Sequence, residues 1–394
     1  MSKLALPLPF LLAFLTAISP LAVDMNLPAM PAIAADLNTS IHLAELSISA
    51  YLIGFAIGQF SGGPLSDRFG RRPMIVIGLG LFSLSSLLLT QVTRLEPLLI
   101  LRVLQALGGG LAVVNSSAIV RDLFQGVGVA KTLSMISMIT MAAPLLAPVF
   151  GAIALAYSTW HSIFWFLCIY SALALILLLW QLPESHPKEK RRQKISFKEY
   201  WRVVTHKRAR RIILALSLSY SGMFIFITAS SYLYMEHFGF NASQFPWLFG
   251  ANIIVMIGMN RLNIQLLNRY SSQQVLAFGL ILQGTAALLL VSLFLFKPDV
   301  SIWYILPLMM VFVGTLGLIG SNSVAMILHH FKDISATANA LTGVSQFTSG
   351  ALAGFIWAHL HNGTPLPMVS LMFITAATAL VIMWLIPKDV EQEV

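Results

Sequence analysis

Between Lys131 and Glu184 the sequence carries no Asp, Glu, Lys or Arg. A helix that crosses a bilayer needs about 20 consecutive apolar residues, and this stretch holds two such runs separated by a short polar turn. Runs of the same kind recur along the chain, at 6–28, 43–65, 74–93, 97–120, 132–156, 161–182, 211–234, 245–267, 275–296, 302–328, 336–358 and 366–386. The pattern predicts an all-α polytopic membrane protein with twelve transmembrane helices. Glycine and proline inside many of the runs do not argue against this, because packed neighbours satisfy the backbone groups they free. Composition excludes the alternative: 57% of residues are hydrophobic and 10% are charged, against about 25% charged in a soluble domain. A water-soluble enzyme is ruled out.

Basic residues set the expected topology. Lys3 ahead of the apolar run Leu4–Val23 has the outline of a signal peptide, but no small-x-small cleavage site follows. The run continues through Pro20 to Asp24 and Asn26, so an uncleaved first span is expected. With the N-terminus inside, 20 of the 24 Lys and Arg residues fall on the cytoplasmic side. They are Lys3, Arg68, Arg71, Arg72, Arg121, Lys131, Arg269, Lys332 and Lys388, plus the run from Lys188 through Lys190, Arg191, Arg192, Lys194, Lys198, Arg202, Lys207, Arg208 and Arg210 to Arg211. Arg94 and Lys297 alone face outward, while Arg102 and Arg261 lie within spans. Both termini are therefore expected in the cytoplasm. The net charge of +9 reads as this bias and not as a nucleic-acid surface. The lone Cys168 excludes a disulfide framework, and His329–His330 and His359/His361 lack further ligands, so no metal site is expected.

The densest charge run, in the proline-containing segment 183–210, divides the chain into an N-terminal bundle (1–182), a basic linker touching anionic headgroups, and a C-terminal bundle (211–394). Two short matches relate the halves. Asp67-Arg68-Phe69 followed by Gly78-Leu79 corresponds to Asn268-Arg269-Tyr270 followed by Gly279-Leu280, at an offset of 201. Gly110, Asn115, Ser116 and Ala118 correspond to Gly317, Asn322, Ser323 and Ala325, at 207. Parallel six-helix repeats place a substrate site near mid-membrane.

Ionisable residues inside a membrane are costly and are functional candidates by default. Asp24, in the outer part of span 1, reads as the only acid well inside the hydrocarbon. A carboxyl there can carry a proton, or when ionised oppose a cationic substrate, and so couple the two by competition without metal, nucleotide or other cofactor. One such acid allows one exchanged proton; a second would need another titrating group. Arg102, at similar depth in span 4, either tunes Asp24 or hydrogen-bonds Gln105 and the backbone. Glu236 reads as interfacial. Asn26, Tyr51, Gln105, Asn115, Tyr220, Tyr232, Asn252, Asn322 and Gln346 are candidates to line a cavity, with Phe224 in an adaptable apolar wall.

Between spans 2 and 3 the chain reads GGPLSDRFGRRP, 62–73. It resembles the signature loop of the major facilitator superfamily, with Gly63, Asp67, Arg68, Gly70, Arg71 and Arg72 on matching positions. Asp122, after span 4, is a candidate partner for one of the loop arginines in a cytoplasmic gate. LRVLQALGGG, with Arg102 and Gln105, is similar to a helix-4 motif of proton-coupled members. VDMNLPAMP maps Asp24, Pro28 and Pro31 onto a helix-1 motif of twelve-span drug:proton antiporters. APLLAPVFG, 143–151, resembles the helix-5 antiporter motif at Pro144, Pro148 and Gly151, with Ala147 and Phe150 in place of two glycines. Together they resemble the bicyclomycin/chloramphenicol-resistance (Bcr/CflA) group of bacterial multidrug exporters, and MdfA-type transporters across the first half. The resemblance implies a monomeric inner-membrane protein, not an enzyme, that exchanges protons for chloramphenicol-like or bicyclomycin-like drugs amid membrane lipids. The alternative is a proton symporter importing a small metabolite.

Overall fold

Proline decides where the first span breaks. Pro20 cannot donate to the carbonyl of Thr16, and α1 (Leu8–Thr16) gives way there to α2 (Ile18–Asp24). Pro28 likewise cannot donate to the Asp24 carbonyl. Helix α2 ends at Asp24, a 3₁₀ turn spans Leu27–Ala29, and α3 (Met30–Asp36) resumes at Pro31. The acid thus sits at a break and not inside a regular helix. The expected first span, 6–28, is in fact a longer interrupted column from Leu8 to Asp36.

The computed structural model describes residues 7–187, 189, 191, 198–297, 299–331 and 334–385. Of the topology-setting basic residues, Lys3, Lys188, Lys190, Arg192, Lys194, Lys332 and Lys388 lie outside them. Among the described residues the regular elements are all helical. The column α4 (Ile41–Ala44) and α5 (Leu46–Phe69) is followed by α6 (Arg71–Leu89), α7 (Leu95–Leu123), α8 (Val127–Tyr157) and α9 (His161–Gln181). After a short α10 (Lys198–Thr205) come α11 (Lys207–Ser231), running into a π-helical stretch Tyr232–His237, then α12 (Phe245–Leu266) and α13 (Ser272–Phe296). The chain ends with α14 (Ile302–Gly314), α15 (Leu316–His330), α16 (Ser335–Leu360) and α17 (Leu366–Trp384). Eleven helical stretches among the described residues are long and apolar enough to cross a membrane. Helix α16 has the length, at 26 residues, but is diluted by Ser, Thr, Asn and Gln and is not one of the eleven.

Packing divides the chain into two units. One gathers the described residues of 1–197 with 227–250 and 354–361; the other gathers those of 198–226, 251–353 and 362–394. The C-terminal part of α11 and the last turns of α16 therefore pack in the first unit. In that unit α7 lies against α5 and α6, and α8 against α1 and α2. In the second, α13 is the hub for α14, α15 and α17, over a core that includes Ile212, Leu216, Leu280, Ile319 and Met383.

Helices in a membrane gain little from apolar burial against one another and approach closely through small residues. A Cβ on Gly110 would lie 2.5 Å from the Phe55 carbonyl oxygen and 2.9 Å from Gln59 N. A Cβ on Gly317 would lie 2.7 Å from Met256 O and 2.8 Å from Asn260 N. Phe55 and Gln59 become Met256 and Asn260 on adding 201, the offset of the sequence match. The side chains one turn on repeat as well: Asn115 Nδ2 donates to Leu111 O at 2.8 Å, and Asn322 Nδ2 to Leu318 O at 2.7 Å. The same helix pair is built twice. Gly110→Ala and Gly317→Ala are each expected to cost about 1–3 kcal/mol through overpacking. Gly80→Ala, with nothing within 4 Å of its Cβ, should be neutral. Thermal unfolding of the detergent-purified variants reads all three.

Candidate functional site

Asp24 is 4% exposed, and among the described residues it makes no hydrogen bond or ion pair. Helix α8 holds the break open beside it. A Cβ on Gly151 would collide with the Met25 carbonyl and come within 3.0 Å of Pro28, so glycine is required for α8 to pass the 3₁₀ turn. Pro144 and Pro148 lie inside α8 on the approach to this contact. Asn26 ties itself to its own helix, Nδ2 donating to Ala22 O at 2.9 Å.

Arg102 is 1% exposed, and neutral groups surround it. Its Nη1 donates to Gln105 Oε1 at 2.7 Å, and Gln105 Nε2 donates to Ser86 Oγ at 2.8 Å. The guanidinium carbon lies 4.6 Å from the centre of the Tyr51 ring and 5.9 Å from that of Phe164. A desolvated cation over an aromatic face gains about 2 kcal/mol, which helps hold a charge with no carboxylate in reach. Arg102 and Asp24 do not form an ion pair; Tyr51 interacts electrostatically with both. The Arg102 side chain thus takes the Gln105 alternative.

Along α7, Arg102 Nη2, Asn115 Oδ1 and Ser116 Oγ are buried without a hydrogen-bond partner, as is Asn26 Oδ1 in the helix-1 break. Buried polar atoms are normally satisfied, so these are the positions at which a bound molecule would regain bonds. The remaining candidates divide by unit. Tyr232 belongs with Asp24, Asn26, Tyr51, Gln105 and Asn115 in the first; Tyr220, Phe224, Asn252, Asn322 and Gln346 belong to the second. There Phe224 packs on Phe347, with ring centres 5.5 Å apart. Asn322 Nδ2 is committed to Asn263 Oδ1 at 2.6 Å as well as to its own helix. Glu236 and Arg261 are exposed.

At the other end of the first unit, Gly70 has φ +103°, a conformation that favours glycine and turns α5 into α6. Arg71 reaches Asp67 at 2.7 Å and Asp122 at 3.4 Å and also donates to Ser66 Oγ. Arg72 Nη2 donates to Leu179 O at 2.6 Å, and Arg68 lies over the Phe69 ring. Gly63 lies one turn before Asp67 on α5. The first backbone N–H groups of α6 are capped from the linker: Arg71 N and Arg72 N donate to Glu184 Oε1 and Oε2 at 3.0 and 3.3 Å.

Two carboxylates with structural partners escaped the sequence reading. Glu184 looked like part of a solvated linker. Glu45 is fully buried, so Asp24 is not the only acid inside the protein. It lies at the start of the expected second span, 43–65, and the sequence reading did not single it out.

Arg102→Ala should cost about 2 kcal/mol or more, from the cation–π contacts alone. Lysine should restore less than half of that, because an ammonium cannot hold Gln105 while lying flat on Tyr51. Melting temperatures of the two variants measure it.

The sequence profile of the Major Facilitator Superfamily matches residues 12–358. Among named relatives, a bicyclomycin resistance protein homolog of Haemophilus influenzae is 32% identical over 92% of this chain and 91% of its own length. A multidrug resistance protein MdtL of Vibrio parahaemolyticus is 26% identical over 94% and 93%. Among solved structures, a D-xylose-proton symporter superposes with a TM-score of 0.75 at 18% identity, covering 98% of this chain and 97% of the other. A POT family transporter gives 0.76 at 15%, covering 96% and 94%. At such identities the structures establish the fold alone. The chain belongs to the major facilitator superfamily, as a multi-pass transporter of a bacterial inner membrane and not an enzyme.

Proposed function

We propose that this protein exports small amphipathic drugs, chloramphenicol-like and bicyclomycin-like molecules among them, in exchange for protons. The observation that carries the reading is Asp24: a buried carboxyl at a helix break, with no cation paired to it, two residues before Asn26, whose Oδ1 is buried without a partner. A carboxyl so placed is neutral when protonated and can share its site with an apolar or neutral molecule; ionised, it opposes a cation. Arg102, held by Gln105 and Tyr51, sets the field that Asp24 works against without neutralising it. The names of the relatives, a bicyclomycin resistance protein homolog and multidrug resistance proteins, support drugs as the cargo and export as the direction.

In the proposed cycle drug entering from the cytoplasm displaces the Asp24 proton, the protein opens outward, and drug leaves as a periplasmic proton returns. The proton gradient supplies the energy, with no metal or nucleotide. Helix α16 serves as the twelfth span and both termini are cytoplasmic, in accord with the basic residues. The Arg71–Asp67–Asp122 group forms the inner gate, and a monomer surrounded by lipid is the working unit.

Everted vesicles with an imposed pH gradient test this. Wild-type protein should release protons when drug is added and accumulate drug inside the vesicle. Asp24→Asn should abolish drug-evoked proton release, by tenfold or more, with the protein still inserted. Undiminished coupling in that variant moves the proton site elsewhere, and substrate leaving the vesicle together with protons identifies an importer.

A further inference from the structure

We infer that Glu45 is a second proton-binding site, whose protonation lets the outer ends of α5, α11 and α16 come together. "Outer" follows the topology proposed above. The inference rests on the proton-coupled reading only for the direction in which protons run.

The carboxyl group is fully buried, and both of its oxygens face neutral donors. Oε1 accepts from Tyr232 N at 3.0 Å and Oε2 from Trp357 Nε1 at 3.1 Å. Tyr232 opens the π-helical stretch that continues α11, a register change typical of functional positions. Trp357 belongs to the last turns of α16 and is itself fully buried. One turn deeper the same three helices meet again: a Cβ on Gly354 would collide with Ser49 Oγ and lie 3.1 Å from Thr228 Oγ1. Ser231 Oγ donates to Leu27 O at 2.7 Å, adding the helix-1 column. Glu45 is thus the polar centre of a closed, tightly packed layer.

No Lys or Arg among the described residues pairs with it. The titratable groups around it are His42 on its own helix, Tyr232, Glu236 and His237 from the α11 side, and His361 after α16. His42 and His361 stack with ring centres 4.6 Å apart, and Tyr232 meets His361 edge-on at 4.4 Å. Burial and the facing His42 hold the His361 imidazole below its ordinary value, which disfavours a counter-charge there. Glu236, exposed, adds a like charge. His359 turns away, bonded to Phe355 O. Two neutral N–H donors do not offset complete removal of a carboxylate from water. A neutral acid keeps both contacts, since its carbonyl oxygen accepts fully and its hydroxyl oxygen retains a lone pair. The closed layer therefore binds the proton more tightly than an open, wetted one, and by linkage acid favours closure. This supplies the second titrating group that an exchange of two protons requires.

Spin labels at Asn38→Cys and Leu360→Cys, in a Cys168→Ser background, report the layer as an interlabel distance between pH 5 and 9. The short-distance population should rise as pH falls, by up to about tenfold per pH unit, the slope of one linked proton. Glu45→Gln, a permanent mimic of the neutral acid, should stay short at every pH while still binding drug, which also shows that it is folded. Asp24→Asn, and His42→Gln with His361→Gln, should keep the pH response. A distance independent of pH in the parent, a response that survives Glu45→Gln, or one that Asp24→Asn or the histidine pair removes overturns the proposal. Drug-evoked proton release in the parent is scored separately: its absence sinks the antiport reading and leaves the closure result standing, and the reverse also holds.

Discussion

A polar group buried in a bilayer has no water to fall back on, so each must be satisfied by the protein or serve as a point of exchange. This structure sorts its buried polar residues by that rule. Most are self-contained: Asn26, Asn115 and Asn322 each donate to the carbonyl four residues back, and Gln105 spends both ends of its amide on Arg102 and Ser86. The Oδ1 atoms of Asn26 and Asn115 stay unpartnered; among the charged groups described above, Asp24 and Glu45 are carboxyls without cations and Arg102 is a cation without a carboxylate. Keeping Arg102 and Asp24 from pairing preserves the ability of each to respond to something else. A direct buried ion pair would be hard to separate and would hold the acid ionised throughout.

The duplication shows how far the two halves have diverged. The backbone contact of Gly110 on Phe55 and Gln59 is reproduced by Gly317 on Met256 and Asn260, so the close approach of these helix pairs survives in both. The same offset of 207 carries Arg102 to Met309 and Gln105 to Phe312, and 201 carries Tyr51 to Asn252. Met309 and Phe312 are fully buried. The packing device is common to the halves; the charge chemistry belongs to one.

What could be read from the residues followed what is local. Apolar runs of span length were visible; the break in helix 1, set by Pro28 four residues after Asp24, was not drawn from them. The gate loop was legible because Gly70, Arg71 and Asp67 act within a few residues of one another. Glu45 was hidden for the opposite reason: its position at the start of the run 43–65 was legible, but its partners lie 187 and 312 residues away. Helix α16 matches the apolar run read at 336–358, though its Ser, Thr and Gly, some of them in helix–helix contact, keep its mean hydropathy low. Glu184 shows the limit of composition, because one acid in a basic linker carries no sign of the helix it caps.

That cap has a consequence for biosynthesis. The first turn of α6 emerges early, at Arg71, yet the carboxylate that satisfies its N–H groups arrives only after the sixth span, at Glu184. Until then the first turn of α6 lacks the carboxylate that caps it. A split of the protein into halves must therefore be made beyond Glu184, leaving it with the first fragment; a cut at the last apolar residue of α9 would take the third span's cap away with the second.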